Sequence, residues 1–283
     1  MNTSVTVIVP TCNAGSGFED VCRMLQKQTA NIKEVMVIDS SSTDETAAIA
    51  LKSGFTVKVI DRQDFGHGRT RQMALEMSAT DVVCYMTQDA LLTEESSVER
   101  LTAFLFQDEL LGAVYGRQLP YPHTGPTGAF AREYNYPAQS FLNTLADRNV
   151  KGFKTAFFSN TFAVYKKEIL LKVGGFPVHS TFGEDSYVAA KMLMDGFKTG
   201  YCGEAAVYHS HDFSLVREWE RSKRIKQFHK SEPWILQTFG KPEREGLKYV
   251  FAQIRWLAAH GNLLNIPFAI AGDVVKYLGY RVG

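Results

Sequence analysis

A single carboxylate, Asp89, follows the apolar run Val82-Val83-Cys84-Tyr85-Met86 with only Thr87 and Gln88 between. A lone acid just past the carboxyl end of a buried strand is placed to hold a hard cation. Mg2+ typically takes one or two carboxylates and completes its shell with substrate phosphates. Asp is also a favoured helix cap, which is the plainer reading. The loop Asp64-Phe65-Gly66-His67-Gly68-Arg69-Thr70-Arg71 combines glycines, which let backbone approach closely, with two arginines ahead of a helix. That pattern suits a phosphate, against the alternative of a solvated basic turn. Glu184 and Asp185 open a later helical stretch. Acids there complement the helix dipole, and one carboxylate at the mouth of a cleft would serve as a general base. His209 and His211 alternate, so on a strand they share a face, where they could ligate a metal or simply meet polar partners.

These groups need a scaffold, and the hydrophobic pattern supplies one. Residues 4–10 read as a strand ending at Pro10, followed by a small-residue loop and a helix over roughly 18–28. Residues 34–38 form a second buried strand with Asp39 at its end. Ser40 to Glu45 cap a helix that Gly54 stops, and a third strand covers 55–60. Strand, helix, strand, helix, strand implies a parallel sheet with right-handed crossovers. The Asp89 strand follows, then a helix over 96–107 and a fifth strand at 112–116. Five prolines and glycines between 120 and 128 mark a long loop, rich in aromatic residues up to Phe158. Residues 159–165 are strand-like, a short helix ends at Gly174-Gly175, and a longer helix runs through Met194. Residues 205–212 close the sheet region.

From 215 to 228 the pattern is helical and basic. Residues 249–280 read as two apolar helices flanked by Arg255, Lys276 and Arg281. Such helices pack on the domain, form a dimer surface or lie in a membrane interface; packing is the default and the membrane surface the serious alternative. The chain is therefore divided into a domain over 1–214 and a helical extension over 215–283.

Composition excludes several classes. The 283 residues carry 31 basic and 30 acidic side chains, so no basic surplus points to nucleic acid. Cys12, Cys22, Cys84 and Cys202 are too widely spaced for a zinc knuckle or redox pair, and reduced thiols suit a cytoplasmic location. Residues 5–10 are too short for a signal peptide, and no apolar run reaches the ~18 residues of a spanning helix.

Six stretches occur in an order that resembles family 2 glycosyltransferases: Val7-Ile8-Val9-Pro10-Thr11-Cys12-Asn13, Val37 to Asp44, Thr87-Gln88-Asp89, Gly174-Gly175-Phe176, Gly183-Glu184-Asp185 and Val207-Tyr208-His209. A narrower resemblance, to bacterial rhamnosyltransferases of polysaccharide assembly, rests on Phe65 to Arg71, Thr87 to Ala90 and His209 to Ser214. The first implies an α/β GT-A fold: a Rossmann-like, mixed, mainly parallel sheet flanked by helices, with a C-terminal helical tail. The family's metal motif has two aspartates around one residue; here Thr87 stands where the first would be.

The resemblance implies the following roles. Thr11, Asn13, Asp39 and Ser41 would line the nucleotide pocket, Asp39 meeting the pyrimidine or its ribose, and Gln88 would join them. Arg71, with His67, would touch the diphosphate. Asp89 would hold Mg2+ or Mn2+ with His209 or His211. Asp185 would be the catalytic base, with Glu184 the fallback. The implied activity is inverting transfer of a sugar, L-rhamnose from dTDP-rhamnose, to a glycan or lipid-linked glycan acceptor. It would occur in the cytoplasm, with the enzyme soluble or peripheral on the inner membrane face, as a monomer or homodimer. Competing readings are a UDP- or GDP-linked donor, a nucleotidyltransferase, and a non-catalytic sugar-nucleotide-binding protein. The absence of any basic residue over 11–17 argues against the nucleotidyltransferase.

Overall fold

The protein is described by a computed structural model covering residues 3–180, 182–241 and 243–283. Its centre is a nine-stranded sheet. In chain order the strands are β1 (Val5–Thr11), β2 (Ile32–Asp39), β3 (Thr56–Val59), β4 (Val82–Met86), β5 (Leu91–Leu92), β6 (Leu111–Leu119), β7 (Phe141–Asn143), β8 (Phe162–Lys166) and β9 (Lys198–Tyr208). The helices are α1 (Phe18–Gln26), α2 (Thr46–Lys52), α3 (His67–Met77), α4 (Ser97–Leu105), α5 (Pro126–Asn135), α6 (Arg148–Lys151), α7 (Lys167–Lys172), α8 (Glu184–Met194), α9 (Leu215–Ser231), α10 (Pro233–Phe239), α11 (Glu243–Ala259) and α12 (Ile266–Val282).

The spatial order is β3-β2-β1-β4-β8-β6-β9-β5, with β7 paired to β9. The first four are parallel, as the alternation over 4–86 predicts. Their carboxyl ends therefore share one edge, where ligands of open α/β sheets collect. From β8 onward the sheet turns antiparallel. Every residue of β4 is buried, which is why it reads as a continuous apolar run rather than an alternating one. A hydrophobic cluster beneath α1 and α4 joins Val7, Val9, Phe18, Leu25, Val37, Val98, Leu101 and Val207.

Two registers position the site. Met86 pairs with Phe162, so residues 160–161 lie at the carboxyl end of β4. Leu91 pairs with Tyr208, so the antiparallel ladder carries His209 to the side of Asp89.

The chain clusters into two compact units. The first comprises 1–117, 138–145 and 156–209; the second comprises 118–137, 146–155 and 210–283. The proline-rich stretch expected as loop contains α5. Pro126 occupies its first turn behind Gly125, where a missing N–H costs nothing, so proline there starts a helix. Within the second unit, Phe130 and Tyr134 of α5 pack on Tyr249 of α11, and Trp256 Nε1 donates to Glu133 at 2.8 Å. α12 packs against α9, close enough at Gly279 that a Cβ would meet the Trp219 carbonyl at 2.9 Å.

Candidate active site

Thr11 ends β1 opposite Asp39, which ends β2. The Asp39 carboxylate is buried and accepts from Thr11 Oγ1 at 2.9 Å, Ser42 N at 2.9 Å and Ser42 Oγ at 2.5 Å. Asn13 N donates to Ser42 Oγ at 2.8 Å, and Asn13 Oδ1 accepts from Thr43 N at 2.8 Å. Asn13 and Ser41 both adopt positive φ, 47° and 51°. Asparagine tolerates that region, whereas serine there is strained backbone held by its surroundings; Ser41 Oγ donates to the Ile60 carbonyl at 2.9 Å. The four residues expected at the nucleotide thus form one interlocked turn at the carboxyl edge of the parallel strands. Gln88 ties the neighbouring loop to it: its Oε1 accepts from Cys12 N at 2.7 Å and its Nε2 donates to the Cys12 carbonyl at 3.2 Å.

α3 begins at His67, six residues ahead of the apolar stretch that signalled it. Gly68 is required for a reason other than phosphate: a Cβ there would run into the Pro177 carbonyl. Arg71 is buried. Its Nη1 lies 3.1 Å from Glu184 Oε1 and donates to the His67 carbonyl at 3.1 Å; the side chains of Arg71 and Glu184 are 4% and 7% exposed. Arg71, expected at the diphosphate, and Glu184, the fallback base, pair with each other here, as two opposite charges withdrawn from water must.

Asn160 completes this arrangement. Its Nδ2 donates to Glu184 Oε1 at 3.1 Å, its Oδ1 accepts from Tyr165 Oη at 2.5 Å, and its backbone N–H reaches Asp185 Oδ2 at 3.4 Å. Tyr85 Oη donates to the Arg71 carbonyl at 2.9 Å, and the Tyr85, Tyr165 and Phe176 rings pack edge to face around it. Asn160, Tyr165 and Tyr85 were not singled out in the sequence. Tyr85 and Tyr165 lie within apolar strand runs, and Asn160 leaves only the polar Ser159-Asn160-Thr161 step ahead of one of them.

The two adjacent acids, at the start of α8 behind left-handed Gly183, diverge. Burial alone would raise Glu184, but the Arg71 guanidinium, with His67 and the Asn160 amide, outweighs it and holds the carboxyl below its usual range. Asp185 is pushed up to about 7, by burial first and by the Glu184 charge second. Ser186 N, donating at 2.7 Å, and Asn160 N hold it in place. One carboxyl is held low by its buried partners; its neighbour is pushed up towards neutrality, where a general base operates best.

Asp89 lies 3.5 Å from His209 Nε2. Its side chain is 44% exposed, while His209 is nearly buried. A carboxylate oxygen beside an imidazole nitrogen is a donor set that Mn2+ or Mg2+ accepts, so these residues fit a divalent ion. His211 follows two residues along the chain, in the second unit.

An interlocked turn at the carboxyl edge of the parallel strands, a carboxylate past the end of β4 and a near-neutral acid at a helix start, set on this mixed sheet, fit the GT-A class of sugar-nucleotide transferases. The Glycosyl transferase family 2 model matches residues 6–174. The chain is 38% identical over 282 residues to the O-antigen chain rhamnosyltransferase RfbN of Salmonella typhimurium, covering 99% of this chain and 89% of that protein. The figures are the same for the O-antigen chain rhamnosyltransferase WbaN of Salmonella anatum. This chain belongs to glycosyl transferase family 2 and is a glycosyltransferase. Solved structures confirm the fold. The mannosyltransferase PcManGT of Pyrobaculum calidifontis, in complex with GDP-Man and Mn2+, superposes with a TM-score of 0.65 at 19% identity, over 98% of this chain and 86% of that one. S. aureus TarS 1-349 in complex with UDP gives 0.61 at 18% identity, over 98% and 89%.

Proposed function

We propose that this glycosyltransferase moves L-rhamnose from dTDP-rhamnose to a growing, lipid-linked glycan of the O-antigen type, with inversion at the anomeric carbon. The observation that carries the donor sugar and the acceptor class is the near-full-length identity to two O-antigen chain rhamnosyltransferases. A UDP- or GDP-linked donor is the second reading, since the fold also accommodates those nucleotides in its structural relatives.

Asp185 is the base. An acceptor hydroxyl is a poor nucleophile and needs a carboxylate within hydrogen-bond reach. Asp185 accepts the hydroxyl proton as the new bond to C1 forms and the bond from C1 to the diphosphate oxygen breaks. A single displacement inverts the centre and requires no second carboxylate nucleophile. Glu184 and Arg71 position Asp185 and set its charge. Thr11, Asn13, Asp39 and Ser41 hold the nucleoside, and Gln88 braces their turn. His67, half-buried at the start of α3, serves the donor side. Asp89 and His209, with His211 as the third candidate, would hold Mg2+ or Mn2+. Such an ion supplies neutralisation of the charge that develops on the leaving diphosphate. The proposed dTDP-sugar donor and lipid-linked acceptor carry with them a cytoplasmic reaction, with the enzyme peripheral on the inner membrane face.

The test is release of dTDP and transfer of sugar by the purified chain, across dTDP-, UDP- and GDP-sugars, with and without divalent metal. Turnover confined to dTDP-rhamnose supports the proposal; turnover confined to a UDP- or GDP-sugar replaces its donor.

A further inference from the structure

The second compact unit differs in charge from the chain as a whole. It holds 16 lysines and arginines against 9 aspartates and glutamates, whereas the full chain is balanced at 31 against 30. It also carries the longest uncharged stretch near the carboxyl end. The 17 residues of 256–272 contain no Asp, Glu, Lys or Arg. This stretch joins α11 to α12 through the short turn Leu263–Asn265, so it forms the apex of a helical hairpin.

An uncharged apolar apex would ordinarily be buried, and this one is not. Leu264 is 88% exposed and Phe268 76%, with Leu263 beside them. The exposure continues along α12 at Val274, Tyr277 and Leu278, at the three- and four-residue spacing that marks one helix face. The opposite face is already used: Gly279 sits against α9, and Tyr280 Oη lies 2.8 Å from His229 Nδ1. Two exposed arginines flank this stretch in the chain: Arg255 directly precedes it and Arg281 follows Tyr277 and Leu278 by one helical turn.

We propose that the α11–α12 apex and the outward face of α12 form a docking surface for an anionic lipid bilayer. Leu263, Leu264 and Phe268 would enter the acyl boundary, and Arg255 and Arg281 would meet lipid phosphates. An apolar stripe flanked by cations is the signature of a segment lying in the interface plane. Among the described residues no helix is long and apolar enough to cross a membrane, which agrees with lying on the bilayer. A second copy of the chain fits less well. A two-fold interface presents the same patch from both sides, so Arg255 and Arg281 would confront a surface of their own sign. The membrane as partner rests on the lipid-linked acceptor proposed above; the surface itself rests on exposure and charge.

The experiment is flotation of the full chain with vesicles of phosphatidylcholine, with and without phosphatidylglycerol, in the absence of donor and acceptor. A failure of the sugar assignment therefore leaves its result untouched. The wild-type chain is expected to float with the anionic vesicles and to be released by salt. Leu264→Ser with Phe268→Ser should weaken binding at least about tenfold. Arg255→Gln and Arg281→Gln should each weaken it roughly fivefold. All these variants should keep the wild-type thermal transition and donor hydrolysis, since every position is exposed. The proposal is overturned if the wild type stays in solution with anionic vesicles, if the serine variant floats equally well, or if light scattering shows a lipid-indifferent dimer that the serine variant splits.

Discussion

Arg71 Nη1 stands 3.1 Å from Glu184 Oε1, and both side chains are almost wholly buried. The pair joins α3 to the start of α8 and fixes the residue next to Asp185. Removing one partner leaves an uncompensated buried charge, at a cost of about 3–5 kcal/mol. Arg71→Met should therefore lose that much in chemical denaturation. Adding Glu184→Leu to it should restore most of the loss, because the second charge no longer needs a partner. A single variant within about 1 kcal/mol of wild type would show that the pair is not holding the two helices.

The Asp185 carboxyl, pushed up to about 7, gives the pH dependence a definite sign. A base must be deprotonated to act, so kcat/KM should climb about tenfold per pH unit towards 7 and level off above it. Asp185→Asn should reduce turnover by about 10^2–10^4-fold while nucleotide still binds. The stability consequence runs the other way. The native state holds this proton more tightly than the unfolded chain, so the stabilisation present below the unfolded value of about 4 is lost as pH rises through about 7. The lowered Glu184 contributes stability above its unfolded value and loses it as pH falls through its folded one. Denaturation midpoints of the wild type and Asp185→Asn across this range would show whether the substitution removes the loss near 7. A rate profile without that rise would put the base elsewhere.

The proposed metal pair is tested by binding as well as rate. Asp89→Asn and His209→Ala should each cost about 10^2-fold in metal-dependent donor hydrolysis, given the several kcal/mol a Lewis acid contributes at a leaving diphosphate. Titration of Mn2+ by electron paramagnetic resonance should show the same two variants binding the ion more weakly. Unchanged Mn2+ titration curves would remove these residues from the ion.

The Asp39 turn makes a separate prediction. Its carboxylate accepts three hydrogen bonds within the turn, from Thr11 and twice from Ser42. Asp39→Ala leaves the buried Thr11 hydroxyl unsatisfied, at about 1–3 kcal/mol, and frees the half-buried Ser42 donors to water at smaller cost. The thermal transition should fall and dTDP affinity should fall with it, read by calorimetry. Lost stability with intact dTDP affinity would assign the turn a purely structural role.

Much of the fold was legible because it is local. Apolar runs ending in polar residues at Pro10, Asp39 and Asp89 mark the ends of parallel strands, and the sheet edge follows from those ends. The antiparallel half was less legible. β5, β7 and β8 are short, with 2, 3 and 5 residues, and their pairing is set by partners far away in sequence. α5 was hidden by the residues that start it, since Gly125 and Pro126 read equally well as loop.

The sequence by itself determined the family, the order of the elements and the identities of the acids and histidines, because motifs at strand and helix ends survive as short contiguous patterns. Only the tertiary structure decided what each charged group does. Arg71, an apparent phosphate ligand by type and position, is committed to Glu184. Glu184 and Asp185, adjacent and alike in sequence, become a carboxyl held low by Arg71 and one pushed up to about 7. Asn160, unremarked in the chain, touches both. The physical reason is that burial and pairing depend on neighbours brought from 24 to 113 residues away, and no local pattern encodes the electric field those neighbours create at a carboxylate.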